Sequence, residues 1–310
     1  MKRKMQIRRS IFLILTVVLA SLTLMSAEAA QEKPAVKIAY VEWSSSIASA
    51  HMVQAVLQER LGYPVELLRM EADQMWRAVA AGEADVMLSA WLPVTHQNYF
   101  DQYSERVVDL GPNLTGARIG LVVPDVSPGR QTGPLGQRAR PYIETDSIAE
   151  LNEYAEQFRR RIVGIDPEAG VMKRAREAIK AYGLEGYRLI DGSEVSMTAE
   201  LSNAIRHKKW IVVTGWTPHW MFARWNLRFL DDPQNIFGGA ESIHTMVRPG
   251  LKEEMPEVSA FLDRFSWTPE EASQFMIWNQ ADEGLYPYEK ALRWMRIYSE
   301  RVDQWLDGGN

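Results

Sequence analysis

Two stretches of this chain, residues 37–91 and 162–216, cover the same interval and carry the same order of signals, and that repetition limits the folds open to it. In the first, VKIAYVEW reads as a buried strand and SSSIASAHMVQAVLQERLGY as a helix, with serines to cap its start and Gly62 to end it. PVELLRM follows as a strand, EADQMWRAVAAGEA as a helix and DVMLSAW as a strand. In the second, RRIVGID, PEAGVMKRAREAIKAYGL, YRLIDG, SMTAELSNAIRHKK and WIVVTGW return the series. Strand and helix in alternation require a parallel sheet covered by helices on both faces. Two copies are too few for a stacked solenoid, so the pattern predicts two similar α/β lobes.

Each series closes on a Trp followed two residues later by Pro: AWLPVTH from Ala90, and GWTPHW from Gly215. A large aromatic beside a breaker sits where a strand must stop. In an open α/β sheet, ligands bind beyond the carboxyl ends of strands, at helix N-termini. Trp43 ends the first strand of the first series, while Trp91 and Trp216 end the last strand of each, so facing lobes bring three indoles to one cleft. Indole faces carry negative quadrupole potential and attract a cation, above all one with no N–H groups to satisfy. Three desolvated contacts of about 2 kcal/mol each supply much of the roughly 8 kcal/mol that micromolar affinity requires. The rest falls to the helix opened by Glu168-Ala169-Gly170-Val171, whose free N–H groups favour a carboxylate, and to a further donor, His96. The pattern asks for a zwitterion with a methylated cation at one end and a carboxylate at the other.

The 310 residues suffice for one large or two ordinary domains. KRK and RR precede the apolar run from Ile11 to Leu24, and Ala27-Glu28-Ala29 offers a cleavage site, so residues 1–29 read as a secretory signal peptide. The chain has no cysteine, which excludes disulfides, thiolate metal sites and lipid attachment to a cysteine after the leader. A soluble periplasmic protein is expected. A net charge of −5, made more negative by loss of the basic leader, argues against nucleic acid as a partner. The five histidines show no metal spacing, and neither a GxSxG elbow nor a phosphate loop is present, so no catalytic residue, metal or cofactor is expected.

RIGLVVP and ESIHTMV read as strands that cross between the lobes and back. The stretch at residues 128–141, rich in Gly, Pro and Arg, reads as loop. Ser147 and Glu150 predict a capping box ahead of a helix, and Thr268-Pro269-Glu270-Glu271 predicts another. Tail helices are expected to pack on the first lobe, with Trp278, Trp294 and Trp305 as core or staple residues rather than ligands. Trp76, Trp210, Trp220 and Trp225 read as packing; His219 is as suited to bracing the loop as to touching ligand and is left out of the site.

Taken together, YVEWSSSIAS, SAWLPVTH, DLGPNLTGARIGLVVP, GIDPEAGVM, TGWTPHWMF and IHTMVRPG resemble the glycine betaine and proline betaine binding proteins of ABC importers over nearly the whole mature chain. The resemblance implies a type II periplasmic binding protein, with two α/β lobes joined by two hinge crossings and the ligand cleft between them. Residues 36–122 with 245–310 would form lobe one, and 123–244 lobe two. Trp43, Trp91 and Trp216 match the family's cation cage; Gly170 and Val171 match the amides that hold the carboxylate, and His96 the carboxylate-binding histidine. The implied partners are a betaine-type small molecule, a permease and its ATPase, served by a monomer that meets the membrane only through the permease. Choline, carnitine and dimethylsulfoniopropionate are alternative cargoes. Two features depart from the family: the 128–141 loop is longer than usual, and Ser44 stands where relatives that select alcohol-bearing cations are expected to carry an acid.

Overall fold

The computed structural model describes residues 33–125, 142–281 and 285–307. The leader expected over residues 1–29 and the loop at 128–141 lie outside the described residues. Among the described residues no helix is long and apolar enough to cross a membrane.

The first series forms β1 (Val36–Tyr40), α1 (Ser44–Glu59), β2 (Val65–Arg69), α2 (Ala72–Ala80) and β3 (Val86–Leu92). β1 runs parallel to both β2 and β3. Every residue of β3 is buried, as a continuous apolar strand covered on both faces must be. Beyond α1 the chain turns through Gly62, whose φ of +68° lies in the left-handed region open to a residue without Cβ. The start of α1 departs from the expected serine cap. Trp43 is the N-cap and makes no side-chain capping bond, while Ser44, Ser45 and Ser46 are buried in the first turn. Ser46 Oγ accepts from the Val41 amide at 3.2 Å instead, so the first amides of α1 depend on acceptors from elsewhere in the chain.

The chain continues through α3 (Gln97–Tyr103) and the long β4 (Val108–Pro124). The second series forms β5 (Arg161–Val163), α4 (Gly170–Ala181), β6 (Arg188–Ile190), α5 (Glu194–Arg206) and β7 (Val213–Thr217), with β5 parallel to β6 and β7. Then come α6 (Trp220–Arg224), β8 (Leu227–Phe229) and β9 (Glu241–Val247). The tail is α7 (Leu251–Glu254), α8 (Pro256–Arg264), α9 (Pro269–Gln280), α10 (Pro287–Ile297) and α11 (Ser299–Asp307).

Hydrogen bonding orders the strands β2-β1-β3-β9-β4-β7-β5-β6, with β8 also on β4. Two parallel triplets are therefore joined through antiparallel β9 and β4. β4 is the common member: residues 108–117 pair with β9, and residues 118–122 pair with β7. Its register against β9 shifts around Gly111 (φ +96°) and Gly116 (φ +77°), bulges that bend and twist the strand toward its second partner. Where β9 ends, Arg248 Nε donates to Asp85 Oδ1 at 2.7 Å and Asp85 Oδ2 accepts from the Lys37 amide at 2.7 Å, which pins β9 to the edges of β3 and β1.

The Ser147 helix is not formed. Ser147 Oγ accepts from the Ala149 amide, but only a single 3-10 turn at Ile148–Glu150 follows, and residues 151–160 continue as turns. Glu150 bonds Thr145 Oγ1 and the Asp146 amide rather than the Ser147 amide that a capping box needs. The turns end at Arg159 and Arg160, both in the left-handed region. The second capping box does form: Thr268 Oγ1 accepts from the Glu271 amide and Glu271 Oε2 from the Thr268 amide, with Pro269 at the first helical position. α9 and α10 pack on α1, and Tyr288 of α10 donates to Glu59 at 2.9 Å. α9 also touches α6 of the second series. Trp294 and Trp305 stack at 5.5 Å in the core, whereas Trp278 is half-buried beneath the Arg293 guanidinium.

Candidate functional site

The two Trp-x-Pro strand ends meet. Trp43, Trp91, Trp216, His96, Gly170 and Val171 all line one cavity with about 300 Å³ of space between atoms, joined by Thr95, Ile119, Ile165 and Ala169. Trp91 stands near the end of β3, Trp216 near the end of β7 opposite Ile119 of β4, and Trp43 at the N-cap of α1. The three indoles are at most 6% exposed. No lining residue carries a formal charge once His96 is neutral, and the geometry around His96 makes it so.

His96 is fully buried at the N-cap of α3. Its Nδ1 accepts from the Trp91 amide at 3.2 Å and from Trp76 Nε1 at 3.4 Å. Burial pushes its pKa down to about 3. Two donors point at Nδ1, and Nε2 has no aligned hydrogen-bond partner among the described residues; the Ser89 backbone also bonds the ring and opposes the fall in its pKa. The ring thus meets the cavity in its neutral form. The loop that carries it is capped from a distance: Glu241 Oε1 accepts from the amides of Val94 and Thr95, both at 2.7 Å, and Glu241 Oε2 from Thr95 Oγ1.

Across the cavity, Gly170 and Val171 are the first two residues of α4, whose N-cap, Ala169, offers no capping side chain. Their N–H groups belong to the unsatisfied first turn, where partial positive charge favours an anion. Glycine is required at 170. A methyl group there would overlap the Thr95 carbonyl and Cγ2 on the opposite wall.

Behind the lining stand groups that single-residue signals in the sequence did not reveal. Trp43 Nε1 donates to Asp166 Oδ2 at 2.8 Å. Burial raises the Asp166 pKa, although the Trp43 bond opposes the shift. Glu194, at the start of α5, accepts from the Ser44 amide at 2.8 Å, from Ser44 Oγ, and from Trp220 Nε1 at 3.2 Å. Burial pushes the Glu194 carboxyl up, but the His219 ring and then Ser44 hold it below its ordinary value. His219 lies outside the cavity lining, where its Nδ1 accepts from the Met221 amide at 3.0 Å and its ring meets Trp216 edge-on at 4.7 Å. Trp76 and Trp220 do more than fill space, since each spends its indole N–H on a group beside the cavity. No trio of metal-ligating side chains is present among the described residues.

The family model for the substrate-binding domain of ABC-type glycine betaine transport systems matches residues 34–296. A glycine betaine/carnitine transport binding protein of Listeria monocytogenes is 44% identical over 158 residues, which is 50% of this chain and 52% of that relative, so the match spans about half the length of each. The lactococcal glycine betaine binding protein, in its closed form with glycine betaine, superposes with a TM-score of 0.78 at 36% identity, covering 88% of this chain and 100% of that one. A glycine betaine and L-proline binding protein of Borrelia burgdorferi gives 0.79 at 33%, covering 88% and 96%.

The buried neutral His96 has a consequence for stability. The unfolded chain takes up a proton on this ring below its ordinary pKa of 6.5, while the folded chain does so only near 3, so stability falls as pH falls through that window. About 2 kcal/mol of unfolding free energy is expected to be lost between pH 7.5 and 5 on this account alone. Urea unfolding at the two pH values checks it: His96→Gln should show a correspondingly shallower pH dependence than the parent protein.

Proposed function

The chain belongs to the family of substrate-binding domains of ABC-type glycine betaine transport systems, and from that premise we propose that it captures glycine betaine, or a related quaternary ammonium or sulfonium zwitterion, and delivers it to an ABC importer. The observation that carries the reading is the composition of one cavity: three indoles, two helix N-terminal residues whose amides lack a capping side chain, and a neutral imidazole, with no charged side chain in the lining. A zwitterion enters such a cavity without burying net charge, whereas a lone cation or anion would bury a net charge that no charged side chain in the lining balances. Trp43, Trp91 and Trp216 face the methylated head group, and Gly170, Val171 and His96 hold the carboxylate.

Residues 36–122 with 245–310 act as one lobe and 123–244 as the other. The joint in β4 lies a few residues ahead of that boundary, where the strand exchanges β9 for β7. Lobes that part admit the ligand, and lobes that shut complete the cage and present a composite surface to a permease driven by its ATPase. The protein works as a periplasmic monomer, exported by its leader, held by no lipid, and free of cofactor and catalytic activity. Carnitine is a second reading, favoured by the half-length match to the Listeria protein named for both ligands. Choline fits less well, because it lacks the carboxylate and brings a net charge.

Fluorescence titration with glycine betaine, carnitine, choline and dimethylsulfoniopropionate tests the assignment. Trp91→Ala and Trp216→Ala should each weaken betaine binding by about thirtyfold or more, as loss of a desolvated contact of about 2 kcal/mol implies; unaltered affinity removes the cage. Gly170→Ala should weaken binding by about ten- to a hundredfold, the effect of overpacking by 1–3 kcal/mol, with the circular dichroism of the folded protein retained.

A further inference from the structure

The wall formed by Trp43 is built by the first series but held by the second. α1 has no capping side chain of its own, so its first amide is an orphan donor. Ser44 N finds Glu194 Oε2 at 2.8 Å, an acceptor 150 positions away, and Ser44 Oγ donates to the other oxygen of the same carboxylate. One residue earlier, the Trp43 indole N–H is taken by Asp166 at 2.8 Å, 123 positions away. Two adjacent residues at the start of one helix are thus fastened by two carboxylates from across the cavity.

Both carboxylates also connect to the rest of the site. Asp166 begins the turn that leads into α4, and its carbonyl accepts from the Ala169 amide at 3.1 Å, one residue before the Gly170 and Val171 amides. Glu194 lies 3.0 Å from His219 Nε2. His219 Nδ1 accepts from the Met221 amide and Nε2 makes no aligned hydrogen bond, so the ring meets the carboxylate as a close polar contact, while it also abuts Trp216. The path Trp43-Ser44, Glu194, His219, Trp216 therefore ties two walls of the cage to each other across the boundary between the two series. Charge-assisted bonds of this kind are stronger and more directional than neutral ones, and those of Trp43 to Asp166 and Ser44 to Glu194, which cross between the halves, are lost when the halves part.

We propose that Asp166 and Glu194 are positioning residues for the betaine site: they touch no ligand, but fix the rotation of the Trp43 indole and the N-terminus of α1, so that the third wall of the cage is in place only when the two halves are together. This rests on the function proposed above. Removing either carboxylate should leave encounter with the ligand nearly unchanged and raise the dissociation rate, because the wall is fastened after the halves close.

Stopped-flow tryptophan fluorescence with glycine betaine reads both rates. Asp166→Ala should raise the dissociation rate about tenfold or more with little change in association. Asp166→Asn, which keeps an acceptor for the indole N–H, should recover part of the loss. Trp43→Phe keeps an aromatic face but has no N–H to give; in that background Asp166→Ala should have almost no further effect, since one interaction cannot be removed twice. Because Glu194→Ala empties a buried site, Ser44→Ala is the companion variant, and it too should speed dissociation severalfold. Unchanged dissociation in Asp166→Ala and Ser44→Ala, or an Asp166→Ala effect of equal size in the Trp43→Phe background, overturns the proposal. Hydrogen exchange of the Trp43 indole, followed by ¹⁵N NMR, separates this from the function itself. If the parent protein binds no betaine, the function falls, while exchange at least tenfold faster in Asp166→Ala still supports the positioning role and equal exchange refutes it.

Discussion

Three indoles lining a cavity without a charged side chain set the terms for everything around them. A quadrupole attracts a cation only weakly in water and more strongly once water is gone, so the rings must be buried and brought close from separate parts of the chain. Trp91 and Trp216 come from the last strands of the two series and Trp43 from a helix start, and all three are almost wholly shielded from solvent. The rest of the lining is equally uncharged, with backbone amides and a histidine held neutral by burial. Balancing a cation by π faces and an anion by dipoles selects for a molecule that carries both.

That balance depends on closeness between the two series, and the fold is arranged to allow it. β4 changes partner midway and bends at two glycine bulges, so the two parallel triplets share a strand without forming a flat sheet. At Gly170 the absence of a side chain lets the backbone of one wall lie against Thr95 of the other. Glu241 stands at the first residue of β9, the strand by which the chain returns to the first triplet, and caps the loop bearing Thr95 and His96. The loop bearing Thr95 and His96 and the return strand are therefore parts of one hydrogen-bonded unit.

The repeated strand and helix series, the two Trp-x-Pro ends and the glycine at a helix start were legible in the sequence because each is a local signal with a known physical cause. The residues they pointed to lie together around a single cavity. What the sequence concealed is long-range and polar. Asp166, Glu194 and Glu241 look like ordinary surface acids, yet each serves a residue more than a hundred positions away. The caps follow the same rule. Thr268 and Glu271 find each other within three residues, as their spacing predicts, but Ser147 loses Glu150 to Thr145 and Asp146, and the serines of α1 turn inward and leave Glu194 to cap the helix. Trp220, read as packing, bonds Ser44 of the first series as well as Glu194 of the second.

The role of positive charge in the cage is most directly measured by calorimetric titration with glycine betaine and with 3,3-dimethylbutanoate, in which carbon replaces the ammonium nitrogen and the shape and carboxylate are kept. A cavity that binds through indole quadrupoles should favour the betaine by at least about a hundredfold, given contacts of about 2 kcal/mol per ring. Equal affinity for this isostere, whose head group alone is uncharged, would mean that the three tryptophans offer only an apolar hollow, and that the head group is recognised by its shape.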